Sequence, residues 1–288
     1  MGSVSNTRSG TGSDAFVIYQ RDNPGLVRVL TPASSTSSVA RTINDNVDVL
    51  ASYSSRSSSF DRSFLFNATS GAVGDLSAVL GNLVAIDRNN AGQMVANASS
   101  SGGGNRTGAA QFIGVGPYSI RSIGTLGGDW SEAVGINDQG RVAGSSAVVL
   151  GSDLGQAFIT GVNGVGIFGL GTLGGRESKA LDLNRSGQVV GYAITASNSS
   201  RAFVTGANGV GMVDLNDLFQ LPRAGEYFSL AEAINDNGQI VARTNLDVTY
   251  LLSPVPELGT ALMLLAGLAV VGGAVRKRVL VGSQHALL

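Results

Sequence analysis

The chain has 288 residues, 19 of them basic and 20 acidic, for a formal net charge of −1. That balance lacks the surplus of Lys and Arg a nucleic-acid surface needs, so no nucleic-acid partner is expected. The absence of Cys excludes disulfides, thiolate metal sites and a cysteine nucleophile. The single His, His285, stands near the end, so no Ser-His-Asp triad or histidine metal cluster is expected inside the body. A hydrophobic content of 43% suffices for a packed core.

Residues 1–13 are polar and Gly/Ser-rich, and read as a disordered amino terminus without the basic and apolar regions of a secretion signal. A misplaced start or truncated gene is the expectation that reconciles this with export. A half-unit follows: Ala15-Phe16-Val17-Ile18-Tyr19, the turn Asp22-Asn23-Pro24-Gly25, and residues 26–30. It reads as strands that either complete the last unit of a ring or start an incomplete sixth one.

Internal repetition organises the next 200 or so residues. Ile123-Gly124-Thr125-Leu126-Gly127-Gly128 returns as Leu170-Gly171-Thr172-Leu173-Gly174-Gly175. Behind each copy comes a second block, Ile136-Asn137-Asp138-Gln139-Gly140 and then Leu183-Asn184-Arg185-Ser186-Gly187. The block recurs as Ile234-Asn235-Asp236-Asn237-Gly238, more loosely from Ile86 through Asn89 and Gly92, and as Ile43-Asn44-Asp45-Asn46-Val47. The Asn residues at 44, 89, 137, 184 and 235 are 45, 48, 47 and 51 residues apart. Asn137 with Gly140, Asn184 with Gly187, and Asn235 with Gly238 are the expected hairpin residues. The Asn and Asp side chains bond nearby backbone, and Gly takes the positive φ.

Four short runs per unit read as antiparallel strands. In the third unit they are residues 131–136, 141–147, 156–160 and 165–170, and no segment before 258 has a helical period. Four strands in a repeat of this length predict an all-β, propeller-like body over residues 14–253 with about five four-stranded blades. The expected units are 39–80, 83–123, 131–170, 178–218 and a last one from about 231 to 252. An open β-solenoid is the alternative architecture.

The blocks Leu170-Gly171-Thr172-Leu173-Gly174-Gly175, Leu183 to Gly191 and Ala157-Phe158 resemble the HAF repeats of secreted and surface-associated bacterial proteins. Gln156 and Arg201 stand where that family's motif has His. The resemblance implies an extracellular repeat protein and no particular chemistry.

Residues 258–275 carry no charge over 18 positions. As a helix they would reach about 27 Å, close to the thickness of a bilayer core of about 30 Å. Arg276-Lys277-Arg278 follows, a cluster that would hold this end on the cytoplasmic side as a membrane stop. Before the span stands Ser253-Pro254-Val255-Pro256-Glu257. Together, residues 254–278 resemble the PEP-CTERM sorting signal of Gram-negative bacteria. Leu258 stands in place of the family's second Pro, and a tail, 279–288, follows the basic cluster. The resemblance implies transient residence in the inner membrane, recognition by an exosortase at Val255, Pro256 and Glu257, and release to the cell surface or exopolysaccharide matrix. Surface polysaccharide is then the expected partner.

No catalytic residues, metal site or cofactor are assigned. Gly164-Val165-Gly166-Ile167-Phe168-Gly169 has the spacing of a dinucleotide loop but leads into Leu170-Gly171 instead of a helix. Asn44, Asp45, Asn46 and Asp48 lack the distal Glu of a calcium loop and read as Asx-turn residues. The function expected is non-enzymatic binding or a structural role. One alternative is a secreted glycan hydrolase using Glu132, Glu177 or Glu232 on a common rim, with Asp129 and Trp130 as a sugar-contact pair. The other is a cytosolic repeat module that has lost export.

Overall fold

A computed structural model of the chain describes residues 35–254, apart from 56–60, 68–69, 71, 99–107 and 117. The half-unit at 14–30, the sorting residues Val255, Pro256 and Glu257, the span 258–275 and the basic cluster Arg276, Lys277 and Arg278 lie outside the described residues. Among those described, no helix is long and apolar enough to cross a membrane. The chain divides into a unit ending at Leu252 and another beginning at Ser253, and the strands belong to the first.

That first body is all-β and propeller-like, with five antiparallel sheets in chain order. The first sheet contains β1 (Ser35–Ile43), β2 (Asp48–Ser55), β3 (Arg62–Asn67) and β4 (Val73–Asp75). The second contains β5 (Leu83–Arg88), β6 (Met94–Ala98), β7 (Gln111–Ile113) and β8 (Ile120–Ser122). β9 (Ser131–Ile136), β10 (Val142–Ala147), β11 (Gly155–Thr160) and β12 (Ile167–Gly171) form the third. β13 (Gly174–Leu183), β14 (Val189–Thr195), β15 (Ser200–Thr205) and β16 (Met212–Asp214) form the fourth. The fifth, with β17 (Phe228–Ile234), β18 (Ile240–Thr244) and β19 (Thr249–Leu252), has three described strands where four were expected. Two four-residue helices, α1 (Ser77–Leu80) and α2 (Leu215–Leu218), link consecutive sheets and were not foreseen. One turn of helix is too short to leave a 3.6-residue period in the sequence.

The apolar core lies mainly between neighbouring sheets. Phe112, Ile136 and Phe158 share one cluster across the second and third sheets, and Ile159, Val189 and Phe203 share one across the third and fourth. Leu50, Met94 and Ile113 join the first to the second, and Val190, Leu215 and Phe228 the fourth to the fifth. The Phe of the Ala-Phe pairs at 157–158 and 202–203 therefore packs between sheets; Phe158 and Phe203 are fully buried. Because both faces are covered, strands such as β10 are buried at every position and lose the alternation of a half-exposed strand.

The first strand of every sheet carries an extra residue at one shared place, three before its Asn: Arg41, Ile86, Val134, Leu181 and Glu232. A bulge at the same place in all five units bends each strand alike as it enters its turn. The open solenoid is excluded. In a solenoid a repeat touches only its neighbours, whereas the Arg185 guanidinium of the fourth unit lies 4.0 Å from Asp45 of the first.

Candidate functional site

The site builds up from the repeated turn. In each copy the Asn Oδ1 accepts the main-chain N–H four residues ahead, from Asp48, Gln93, Arg141, Gln188 and Gln239 at 2.9–3.1 Å. The residue three after each Asn donates its N–H back to the Asn carbonyl and sits at positive φ. That residue is Gly92, Gly140, Gly187 or Gly238 in four units, and Val47, at φ 61°, in the first. Gly140 also approaches the main chain of Asn163, so it is required for space as well as φ.

With its oxygen used at home, each Asn amide turns to the next unit. Asn44 donates to the carbonyl of Asn89, Asn89 to that of Asn137, Asn137 to that of Asn184, and Asn184 to that of Asn235, at 2.9–3.2 Å. The predicted turn residues Asn137, Gly140, Asn184, Gly187, Asn235 and Gly238 are thus brought to one end of the body, where the Asn side chains form a ladder from unit to unit.

The residue after each Asn forms the rim: Asp45, Asn90, Asp138, Arg185 and Asp236. Acceptors and donors alternate. Asn90 Nδ2 donates to Asp45 at 2.8 Å and to Asp138 at 2.9 Å. Arg185 lies 3.7 Å from Asp138, 3.5 Å from Asp236 and 4.0 Å from Asp45. Below this rim is a cavity of about 230 Å³ lined by residues of all five units.

Asp45, Asp87, Asp138 and Asp236 line it; Asp87 and its counterpart in the fourth unit, Asp182, each stand two residues before their Asn. Asp87 accepts the N–H of Arg88 and, from the next unit, that of Ile136; Asp182 does the same for Leu183 and Ile234. Burial pushes the Asp182 carboxyl up to about 6, the Asp87 charge adds to the rise, and the two N–H donors oppose it. Sequence reasoning missed both aspartates, as well as the pairing of Asn90 and Arg185 with their neighbours. The available signal was an alternation: units two and four carry Asp two before the Asn and a donor after it, while the other three carry Asp after it.

The glutamates of the hydrolase alternative are not gathered at this cavity. Glu132, Glu177 and Glu232 stand five, seven and three residues before their Asn, at different heights on the first strands, and none lines the cavity. Glu177 accepts from the Tyr192 hydroxyl and Glu232 pairs with Arg243 at 3.2 Å. Trp130, expected beside Asp129 as a sugar contact, is 3% exposed, and its indole N–H donates to the Ser152 carbonyl. Its ring is a support for the β10–β11 hairpin. Asp48 pairs with Arg88 at 3.0 Å and accepts from Asn67, an arrangement that consumes it in a turn. No group of three or more His, Asp or Glu among the described residues is placed to hold a metal ion.

No protein-family model matches the chain, and no curated protein matches it. Among solved structures it is similar to TolB from Acinetobacter baumannii, at 12% identity and a TM-score of 0.46, over 76% of this chain and 54% of that one. It is also similar to a puromycin hydrolase mutant complexed with PGG, at 14% identity and a TM-score of 0.47, over 72% of this chain and 35% of that one. The chain therefore spans about half the length of the first and about a third of the second.

Proposed function

We propose that the chain is an exported bacterial surface or exopolysaccharide-associated protein with a non-enzymatic binding or structural role, sorted and cleaved at its carboxy terminus by an exosortase. One observation carries this reading: Val255-Pro256-Glu257, an uncharged stretch of 18 residues and Arg276-Lys277-Arg278 follow one another in the order of a PEP-CTERM signal. The span would lodge in the inner membrane, the basic cluster would stop it there, and Val255, Pro256 and Glu257 would be read by the enzyme.

The body's chemistry supports a binding or structural role. Asp87 and Asp182 accept two main-chain N–H groups each, and the buried amides of the Asn ladder are spent between units. Such groups hold a scaffold in register and are poor candidates for proton transfer. The rim at Asp45, Asn90, Asp138, Arg185 and Asp236 is the polar surface left for a ligand such as a surface polysaccharide.

Mass spectrometry of the protein recovered from its native host tests the reading. Peptides ending near Val255-Pro256-Glu257 in envelope or medium fractions are expected. Intact peptides through Leu288 in the cytosol would overturn it and favour a repeat module without export.

A further inference from the structure

The triplet Asn-x-Ser/Thr is the acceptor pattern for attaching a glycan to an asparagine amide. It occurs at Asn67-Ala68-Thr69, Asn97-Ala98-Ser99, Asn105-Arg106-Thr107, Asn184-Arg185-Ser186 and Asn198-Ser199-Ser200. Attachment needs an amide that is exposed and not already bonded, and the fold sorts the triplets on that ground. Asn105 lies outside the described residues. Asn67 donates to Asp48 at 2.6 Å and accepts the Ser70 N–H. Asn97 exchanges two bonds with the main chain of Ala133 in the next unit, both at 2.9 Å. Asn184 is 4% exposed and gives its amide hydrogens to Gln188 and to the Asn235 carbonyl. A glycan on any of these three would wedge a sugar into contacts that join strands or units.

Asn198 is different. It stands exposed in the β14–β15 hairpin, and among the described residues its side chain bonds to nothing. Main-chain bonds hold the loop: Thr195 donates to the Ser199 carbonyl and Asn198 to the Thr195 carbonyl, both at 2.9 Å. At φ 61° the backbone takes the left-handed conformation that Asn and Asp tolerate. Asp247 fills the same place in the fifth unit's hairpin, at φ 58°. Either residue therefore satisfies the turn, and a free amide is what Asn198 adds. The Ser200 hydroxyl, third in the triplet, donates to the Ser229 carbonyl at 3.0 Å and keeps lone pairs to accept from an enzyme.

The place of the hairpin matters as well. β14 leads away from the Asn184 turn for seven extended residues, about 20 Å, before the chain reverses at 196–199. The Asn198 loop is thus at the end of the fourth sheet opposite the ladder and the rim, and a glycan there leaves the cavity open.

We propose that Asn198 is a glycosylation site, modified on the folded chain by a separate transferase that uses a sugar diphosphate as donor. Asn198 Nδ2 forms the bond to the anomeric carbon of the sugar. The bond from that carbon to the donor's phosphate oxygen breaks, the diphosphate leaves with the electron pair, and the amide gives one proton to a base of the enzyme. Folding before transfer is what protects Asn67, Asn97 and Asn184. The inference does not depend on how the carboxy terminus is sorted.

Tryptic cleavage after Arg185 and Arg201 releases residues 186–201, which hold Asn198 and the acceptor Asn of no other triplet. Mass spectrometry of this peptide, from the full chain recovered from its native host, tests the site. A glycan mass that fragmentation places on Asn198 is expected. A step of one sugar identifies a nucleotide-linked donor, and a step of a whole oligosaccharide a lipid-linked one. Asn198→Asp, which fits the turn as Asp247 does, is expected to remove the mass and leave the melting temperature of the unglycosylated chain unchanged. A bare peptide from the parent overturns the proposal, as does a sugar on Ser197, Ser199 or Ser200, or on Asn67, Asn97 or Asn184. Carboxy-terminal processing is read on a different peptide, so either reading can fail without the other.

Discussion

The Asn137 side chain donates to the main-chain carbonyl of Asn184, the residue at its own place one unit further on, at 3.2 Å. The same amide reaches the Arg185 carbonyl at 3.3 Å, while its oxygen accepts the N–H groups of Gln139 and Arg141. One buried side chain thus shapes its own hairpin and fastens the next.

Replacing it tests that double role. Asn137→Ala leaves buried donors and acceptors without partners, a loss of about 3 kcal/mol. Asn235→Ala, at the exposed end of the ladder, loses only bonds within its own turn and should cost about 1 kcal/mol or less. Urea unfolding of the two variants checks the contrast. Equal losses would show that the amide bond between units contributes nothing.

How far the sequence carries this picture varies by level. The strands of the third unit lie within about two residues of their expected places because Gly and Asn mark each hairpin end. The Asn positions were visible as repeats, but their use was not. A turn signature describes the backbone of one unit, whereas the amide bonds of Asn89, Asn137 and Asn184 depend on how units pack. Asp87 and Asp182 were hidden for a related reason. They recur in alternate units, so a search for residues shared by every copy passes over them. The glutamates of the hydrolase alternative have offsets before the Asn that differ by two to four residues, which along a strand is roughly 7 Å or more.

Val47 is the one β-branched residue in the place the other units give to Gly, at φ 61°. A branched side chain is strained there, and it is partly exposed, so little burial is lost on removing it. Val47→Gly should raise stability by about 1 kcal/mol, the released strain outweighing glycine's greater freedom in the unfolded chain. A melting temperature at or below the parent's would refute this.

The third strands of units three and four end on a threonine that serves the neighbouring strand. Thr160 Oγ1 accepts the Val142 N–H and Thr205 Oγ1 the Val189 N–H, both at 2.9 Å. Each is buried. Thr160→Val keeps the shape and orphans one N–H, so a loss of about 2 kcal/mol is expected, with a similar value for Thr205→Val. Thr160→Ser keeps the acceptor and should recover much of it. Chemical denaturation of the three variants measures this, and a Val variant as stable as the Ser variant would contradict it.

Asp182 makes stability depend on pH in the direction opposite to most carboxylates. Its folded value, about 6, lies above the ordinary 3.8, so the folded protein holds this proton more tightly than the unfolded chain does. Its contribution is therefore fully present below about pH 4, is lost as pH rises to 6, and is constant beyond. The difference between the two values corresponds to about 3 kcal/mol. Other carboxylates titrate in the same range, so the informative quantity is the stability of the parent minus that of Asp182→Asn, which removes this one titration. Urea melts at pH 4, 5, 6 and 7 should show the difference shifting against the parent by up to that amount. Asp87→Asn, which removes the charge that adds to the rise, should shrink the shift. A difference that stays level with pH would mean that Asp182 is ionised throughout and that its two N–H donors outweigh its burial.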